Sequence, residues 1–147
     1  TFGRDPNNLT NARGRLPNDR PHIFRVMGTV EVPRTGFVVA ANLQHFSGKP
    51  WTASAQVSLP QGDQRILLEP RGSRRLASQS LLDLRLSRAF GIGAGRVELL
   101  LDVLNLLNDT AAEALATDNL FSPNFGQPTV FMDPRRAMLS VRLNLGQ

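Results

Sequence analysis

Between His22 and Ser47 the chain alternates apolar and polar side chains with a period of two, and this alternation restricts the fold more than any other feature. Phe24, Val26, Val30 and Val32 alternate with Arg25, Met27, Thr29 and Glu31. Pro33-Arg34-Thr35-Gly36 then supplies turn chemistry, and Phe37, Val39, Ala41 and Leu43 alternate with Val38, Ala40, Asn42 and Gln44. Folding the segment about Arg34–Thr35 sets Val32 opposite Phe37, Val30 opposite Val39, Val26 opposite Leu43 and Phe24 opposite His45. Slipping this register by one residue would send every apolar side chain to the wrong face, so the pattern specifies one hairpin.

The same period returns twice. Leu82, Leu84 and Leu86 alternate with Asp83, Arg85 and Ser87, and Ala137, Leu139, Val141, Leu143 and Leu145 alternate with Met138, Ser140, Arg142 and Asn144. Between them, GRVELLLDVLNLLND (Gly95 to Asp109) reads two ways. Glu98, Asp102, Asn105 and Asp109 form one polar stripe of a helix, and leucine is a good helix former. Val97, Leu99, Leu101 and Val103 instead form one face of a strand, although Leu100 and Leu104 interrupt its polar side. Position tips a close balance to strand: the segment follows a strand through the glycine-rich turn Gly91–Gly95, and Leu82–Leu86 otherwise lacks a hairpin partner.

Between these segments lie three stretches without apolar periodicity. Thr1 to Pro21 is rich in Asn, Pro, Gly and Arg; Ser47 to Ser78 contains SGKPW, PQGDQ and EPRGSRR; Asp109 to Arg136 contains SPNFGQP and DPRR. All three read as loops. Short turns therefore alternate with connections of about 30 residues, and the strands run about ten residues. Transmembrane β-strands need roughly 9–11 residues and pair short turns on one side with long loops on the other. A soluble sandwich has shorter loops at both ends.

Composition narrows the function classes. The 147 residues hold no cysteine, which removes disulfides and thiolate metal sites. The net charge of +5 is carried almost wholly by arginines scattered along the chain, with no helix-turn-helix, RNP-like or zinc pattern, so nucleic acid is not expected as a partner. No apolar run approaches the ~18–20 residues of a spanning helix, which excludes a helical membrane protein and leaves a membrane β-barrel open. With neither an initiator methionine nor a leader, the chain is expected to be processed or a piece of something longer.

NDRPHIF before a strand ending at proline, QHFSGKPW, EPRGSRR before LLDLRLSRAF, LDVLNLLND, and NFGQPTVFMDPRRAMLSVRL occur in this order. Together they resemble the C-terminal barrel strands of TonB-dependent outer-membrane receptors, especially the Oar-like branch, from Asp19 onward. The resemblance implies an all-β fold of antiparallel, up-and-down strands: about five C-terminal strands of a transmembrane β-barrel, roughly a quarter of a larger wall. Residues 1–20, 48–78 and 109–136 become external loops, 22–47 and 79–108 hairpins, and 137–147 the terminal strand. The two-way reading of Gly95 to Asp109 resolves to a strand ending in an Asn-Leu-aromatic-Asn signature, here Asn105-Leu106-Leu107-Asn108. The chain departs from the family in having no tyrosine for aromatic girdles, a non-aromatic terminal Leu145-Gly146-Gln147, and no plug or TonB-contacting segment.

On this reading Arg25, Glu31, Asn42, Gln44, Asp83, Arg85, Glu98, Asp102 and Arg142 face the lumen. Phe24, Val26, Val30, Phe37, Val39, Leu43, Leu82, Leu84, Leu86, Val97, Leu99, Leu101, Leu139, Val141 and Leu143 face lipid. Arg85 can pair with Glu98 or with Asp102, whereas setting Asp83 opposite Asp102 is disfavoured by like charge. Two nearby carboxylates suggest acid–base work, but no nucleophile–base–orienter set accompanies them, so no enzyme, cofactor or metal is expected. His22 and His45 share one side of the first hairpin without a third ligand, and read as interfacial histidines. Phe46 and Trp51 are expected at the lipid headgroup level. Gly91, Gly93 and Gly95 lack phosphate-loop spacing and read as a turn. Arg71, Arg74 and Arg75 suggest contact with lipopolysaccharide phosphates. The implied partners are outer-membrane lipid, lipopolysaccharide, the rest of the barrel with its plug, and the TonB complex reached through other regions; the implied location is the bacterial outer membrane. An adhesive or structural barrel without transport, and a soluble β-rich binding domain, stand beside this reading.

Overall fold

Each period-two segment forms an extended strand, because alternation with β-branched and aromatic residues matches a pleat with two unlike faces. The computed structural model describes residues 6–60, 62–93 and 95–145. The fold is all-β, with a single 3-10 turn at Pro6–Leu9 and no α-helix among the described residues. Its strands are β1 (Ile23–Val32), β2 (Phe37–Phe46), β3 (Pro50–Trp51), β4 (Ser54–Leu59), β5 (Gly62–Leu67), β6 (Arg74–Arg75), β7 (Gln79–Ile92), β8 (Gly95–Leu104), β9 (Ala112–Leu115), β10 (Pro128–Phe131) and β11 (Arg136–Leu145). They fall into two units. A loop unit takes the described residues of Thr1–His22, Ser47–Gln79 and Ala111–Met132, and a sheet unit those of Ile23–Phe46, Ser80–Thr110 and Asp133–Gln147.

The sheet unit is one five-stranded sheet in the order β1-β2-β7-β8-β11, so each strand pairs with the next long strand in the chain. β1 and β2 pair as expected, with Val32 opposite Phe37, Val30 opposite Val39, Val26 opposite Leu43 and Phe24 opposite His45. Their turn puts Arg34 at φ 67° and Gly36 at φ 70°, and Thr35 ties it by donating its hydroxyl to the Val32 carbonyl at 3.0 Å. Asn42 meets Asp83, His45 meets Ser80 and Phe37 meets Arg88, so β2 and β7 run antiparallel. The ambiguous segment is strand β8, paired on one side with β7 and on the other with β11. β1 and β11 are the sheet's edges, and it does not close among the described residues.

The glycine-rich reversal is shorter than expected. β7 continues through Gly91 to Ile92, which pairs directly with Gly95, and Gly93 bends back at φ 54°. Glycine is tolerated in a strand where a partner backbone comes close. At Gly95, a Cβ would stand 3.1 Å from the Asn144 carbonyl oxygen.

The three connections are not structureless. Ala53, Ala55, Val57 and Leu59 alternate up to a PQG turn, a hairpin signal submerged in the surrounding polar residues, and β4–β5 forms there. β3 pairs with β6, and β9 with β10 across a register shift. Segments from all three connections knit together. Gly14 bridges to Arg71 and Ser54 to Asn119; the Ser54 amide donates to the Asp118 carbonyl, and the Leu120 amide to the Ser54 carbonyl, each at 2.8 Å. Ala53 and Ala55 are buried at the centre of this unit.

Candidate functional site

The registers sort the side chains of the sheet into two faces, since residues directly opposite in an antiparallel pair share a side. All nine residues expected on the lumen side fall on one face, and all fifteen expected on the lipid side fall on the other. One apolar row crosses every strand: Val30, Val39, Leu86, Leu101 and Leu139. Among the described residues, three polar side chains stand on that side: His45 and Ser80 at its end, and Arg88, which lies opposite Leu99 and stacks on Phe37 and Phe90, 4.9 Å from each ring centre.

Both faces of the edge strands β1 and β11 are exposed and β2 is half-buried on both, so the faces differ in burial only at β7 and β8. On the apolar face Leu139 is 75% exposed, Val30 65% and Phe24 54%, and Leu86 and Leu101 are about two-fifths exposed. The buried groups lie on the polar side or at its end: Ser87, Leu100, Asp102 and Asn105 are each under 9% exposed. A groove of about 380 Å³ runs along this polar side, lined by Met27, Thr29, Asn42, Asp83, Arg85 and Asp102 among others.

Arg85 stands opposite Asp102 and grips it with both ends of the guanidinium, Nε to Oδ1 at 2.5 Å and Nη2 to Oδ2 at 3.0 Å. That decides the open choice of partner. Glu98 is taken instead by Arg142, 3.0 Å away on β11. Asp83 is kept from Asp102, accepting the Asn105 amide at 3.0 Å. Arg25 opposes Gln44 and stacks on Phe46 at 5.2 Å. Phe46 therefore belongs to the polar face and not to an outward aromatic belt.

Asn105 is the residue whose role periodicity does not reveal. At φ 50° it ends β8 in the left-handed region, which asparagine tolerates better than most residues. The residue is 3% exposed, and its amide group is fully engaged: Nδ2 donates to the Asp133 carbonyl at 2.7 Å and the Asp109 carbonyl at 2.9 Å, and Oδ1 accepts the Asp109 amide at 3.0 Å. Asn108 repeats the device at φ 53°, accepting the Arg135 amide at 3.0 Å. The two asparagines thus tie the end of β8 to the segment leading into β11. The signal was present in the Asn-Leu-Leu-Asn spacing, where the two positive-φ positions fall three residues apart.

In the loop unit Trp51 packs edge-on against Phe125, with ring centres 5.8 Å apart, and Arg74 lies over both rings. Trp51 is thus half-buried within its own unit, where an anchor at the lipid headgroups was expected. Glu69 holds Arg74 at 2.8 Å and accepts the Ala53 amide at 2.8 Å. That backbone donor, and Arg74 after it, hold the Glu69 carboxyl below its ordinary range. Arg75 is held by the Asp19 carboxylate at 2.9 Å and by the Gly48 carbonyl at 3.0 Å. Ser54, almost fully buried, bonds Asp118 at 2.9 Å and Arg65 at 3.1 Å, and Arg65 also binds Asp118. With no imidazole beside it, this trio is a tie between connections.

His45 Nδ1 lies 2.8 Å from the Ser80 hydroxyl, and the His22 backbone is held by Ser47. Among the described residues, no cluster of three His, Cys, Asp or Glu side chains is placed to hold a metal ion. No family model, no curated protein and no solved structure matches this chain.

Proposed function

We propose that the chain forms part of the wall and external loops of an outer-membrane β-barrel of the TonB-dependent receptor type, and that the whole receptor binds a solute and imports it with energy relayed by TonB. One observation carries this reading: a five-stranded up-and-down sheet exposes its apolar face along its length while its buried groups lie on the polar side. Exposed apolar surface on that scale marks a membrane or partner interface. Ten residues at about 3.3 Å each, tilted by about 40°, cover about 25 Å, the height of the apolar band of an outer-membrane barrel. The two open edges at β1 and β11 suit continuation into further strands.

The paired charges on the polar side then line a wet interior, where Arg85–Asp102 and Arg142–Glu98 hold neighbouring strands in register. All three long connections leave the sheet at one end, the end of Ile23, Phe46, Leu104 and Arg136. In this reading that end is external, and the loop unit meets the solute. None of the chemistry is covalent.

The test is one substitution made on each face. Leu101→Arg, in the apolar row, should cost about 2–4 kcal/mol when the intact protein refolds from urea into lipid vesicles. Ser140→Arg, one row away on the polar face, should cost under about 1 kcal/mol. Equal costs, or a protein that stays monomeric in water without detergent, would remove the membrane-wall reading.

A further inference from the structure

We infer that the loop unit carries a cleft for the oxyanion group, carboxylate or phosphate, of a small hydroxylated solute, with Arg71 as the side chain that grips it; this rests on the reading of that unit as solute-facing. Two depressions of about 280 and 220 Å³ share Arg65, Leu67 and Arg71. Asn7, Asn8 and Thr10 line the first.

The arginines of this unit are not equivalent. Arg74, Arg75 and Arg65 already hold Glu69, Asp19 and Asp118. Arg71, half-buried, makes no side-chain hydrogen bond or ion pair among the described residues, although it lines both depressions. Its backbone, in contrast, is pinned. The Arg71 amide donates to the Asn11 and Arg13 carbonyls at 3.0 and 3.2 Å, and its carbonyl accepts the Arg15 amide at 2.9 Å. Gly14 presses so close that any Cβ there would collide with the Arg71 carbonyl.

A fixed root and an unengaged forked head suit bidentate capture of a carboxylate or phosphate. The surrounding field favours it, since the three segments of this unit hold nine Lys and Arg against six Asp and Glu. The amide of Asn8 and the hydroxyl of Thr10 offer partners to a hydroxylated body and none to an apolar one. Lipopolysaccharide phosphates offer the same anion, but two of the three arginines expected to meet them are already neutralised within the protein, which favours a single-anion solute.

Calorimetric titration of the intact protein with glucuronate, glucose 6-phosphate and uncharged glucose tests this, with purified lipopolysaccharide as a separate arm. Both anions should bind, glucose about tenfold or more weakly, and Arg71→Gln should weaken the anions by about tenfold or more. Arg71→Lys should recover part of the loss, while Arg34→Gln in the β1–β2 turn should change nothing. Equal binding of glucose, indifference to Arg71→Gln, or a response to lipopolysaccharide alone would overturn the inference. If these titrations fail while Leu101→Arg and Ser140→Arg still differ, the cleft is lost and the membrane wall stands.

Discussion

Replacing Asn105 with alanine isolates what the end of β8 contributes. Alanine removes three side-chain hydrogen bonds, two to the Asp109 and Asp133 carbonyls and one from the Asp109 amide, and leaves the backbone bond to Asp83 in place. At about 1 kcal/mol net per bond the loss is about 3 kcal/mol, weighted toward the Asp109 amide, since buried amides without acceptors are costlier than carbonyls without donors. A Cβ held at φ 50° adds about 1 kcal/mol once the asparagine side chain no longer compensates for it. Asn105→Ala should therefore lower stability by about 3–4 kcal/mol. Asn105→Gly loses the same bonds but relieves the backbone, so it should be milder than alanine by about 1 kcal/mol. Urea titration of the intact protein measures both differences. Amide hydrogen exchange gives the local view: the Asp109 amide should exchange more than about a hundredfold faster in Asn105→Ala, since 1.4 kcal/mol corresponds to tenfold. Asn105→Ala within 0.5 kcal/mol of the parent, or equal to Asn105→Gly, would show that the asparagine is not the tie described above.

Two further outcomes concern the loop unit. The Glu69 carboxyl is held below its ordinary range by the Ala53 amide and by Arg74, so it binds protons more weakly folded than unfolded. Its stabilisation is complete above the ordinary glutamate range and disappears as pH falls through the lowered value; the stability gap between parent and Glu69→Gln, measured by urea titration at several pH values, should shrink with acidification, and a gap constant with pH would contradict the assignment. Gly48→Ala drives a Cβ into the Leu76 carbonyl and should cost about 1–3 kcal/mol, whereas Gly28→Ala, with open space around it, should stay within about 0.5 kcal/mol; thermal melts that rank the two equally would refute the close approach at Gly48.

The sheet was legible in the chain because its information is local and redundant. Ten alternating residues on each side of PRTG admit one register, and every opposed pair read from them is present in the structure. The assignment of all the expected lumen and lipid residues to opposite faces follows from the same period. What sequence left open turned on neighbours distant in the chain. Arg85 reaches Asp102 and not Glu98 because the two-residue connection after Ile92 sets the register of β7 on β8, and because β11 brings Arg142 to Glu98 from 44 residues away. The helical stripe in GRVELLLDVLNLLND is overruled by two flanking strands, whose ladders satisfy the backbone of β8 along both of its edges.

The connections were the least legible part. Their strands are short, and what holds them is a set of long-range polar ties, such as Ser54 to Asp118 and Arg75 to Asp19, that leave no periodic trace. Alternation by itself determined two faces, one apolar and one polar, along five extended segments. Only the folded chain decided that, among the described residues, the apolar face stays exposed and Arg71 meets no counter-charge, because covering a surface or pairing a charge depends on which segments arrive beside it.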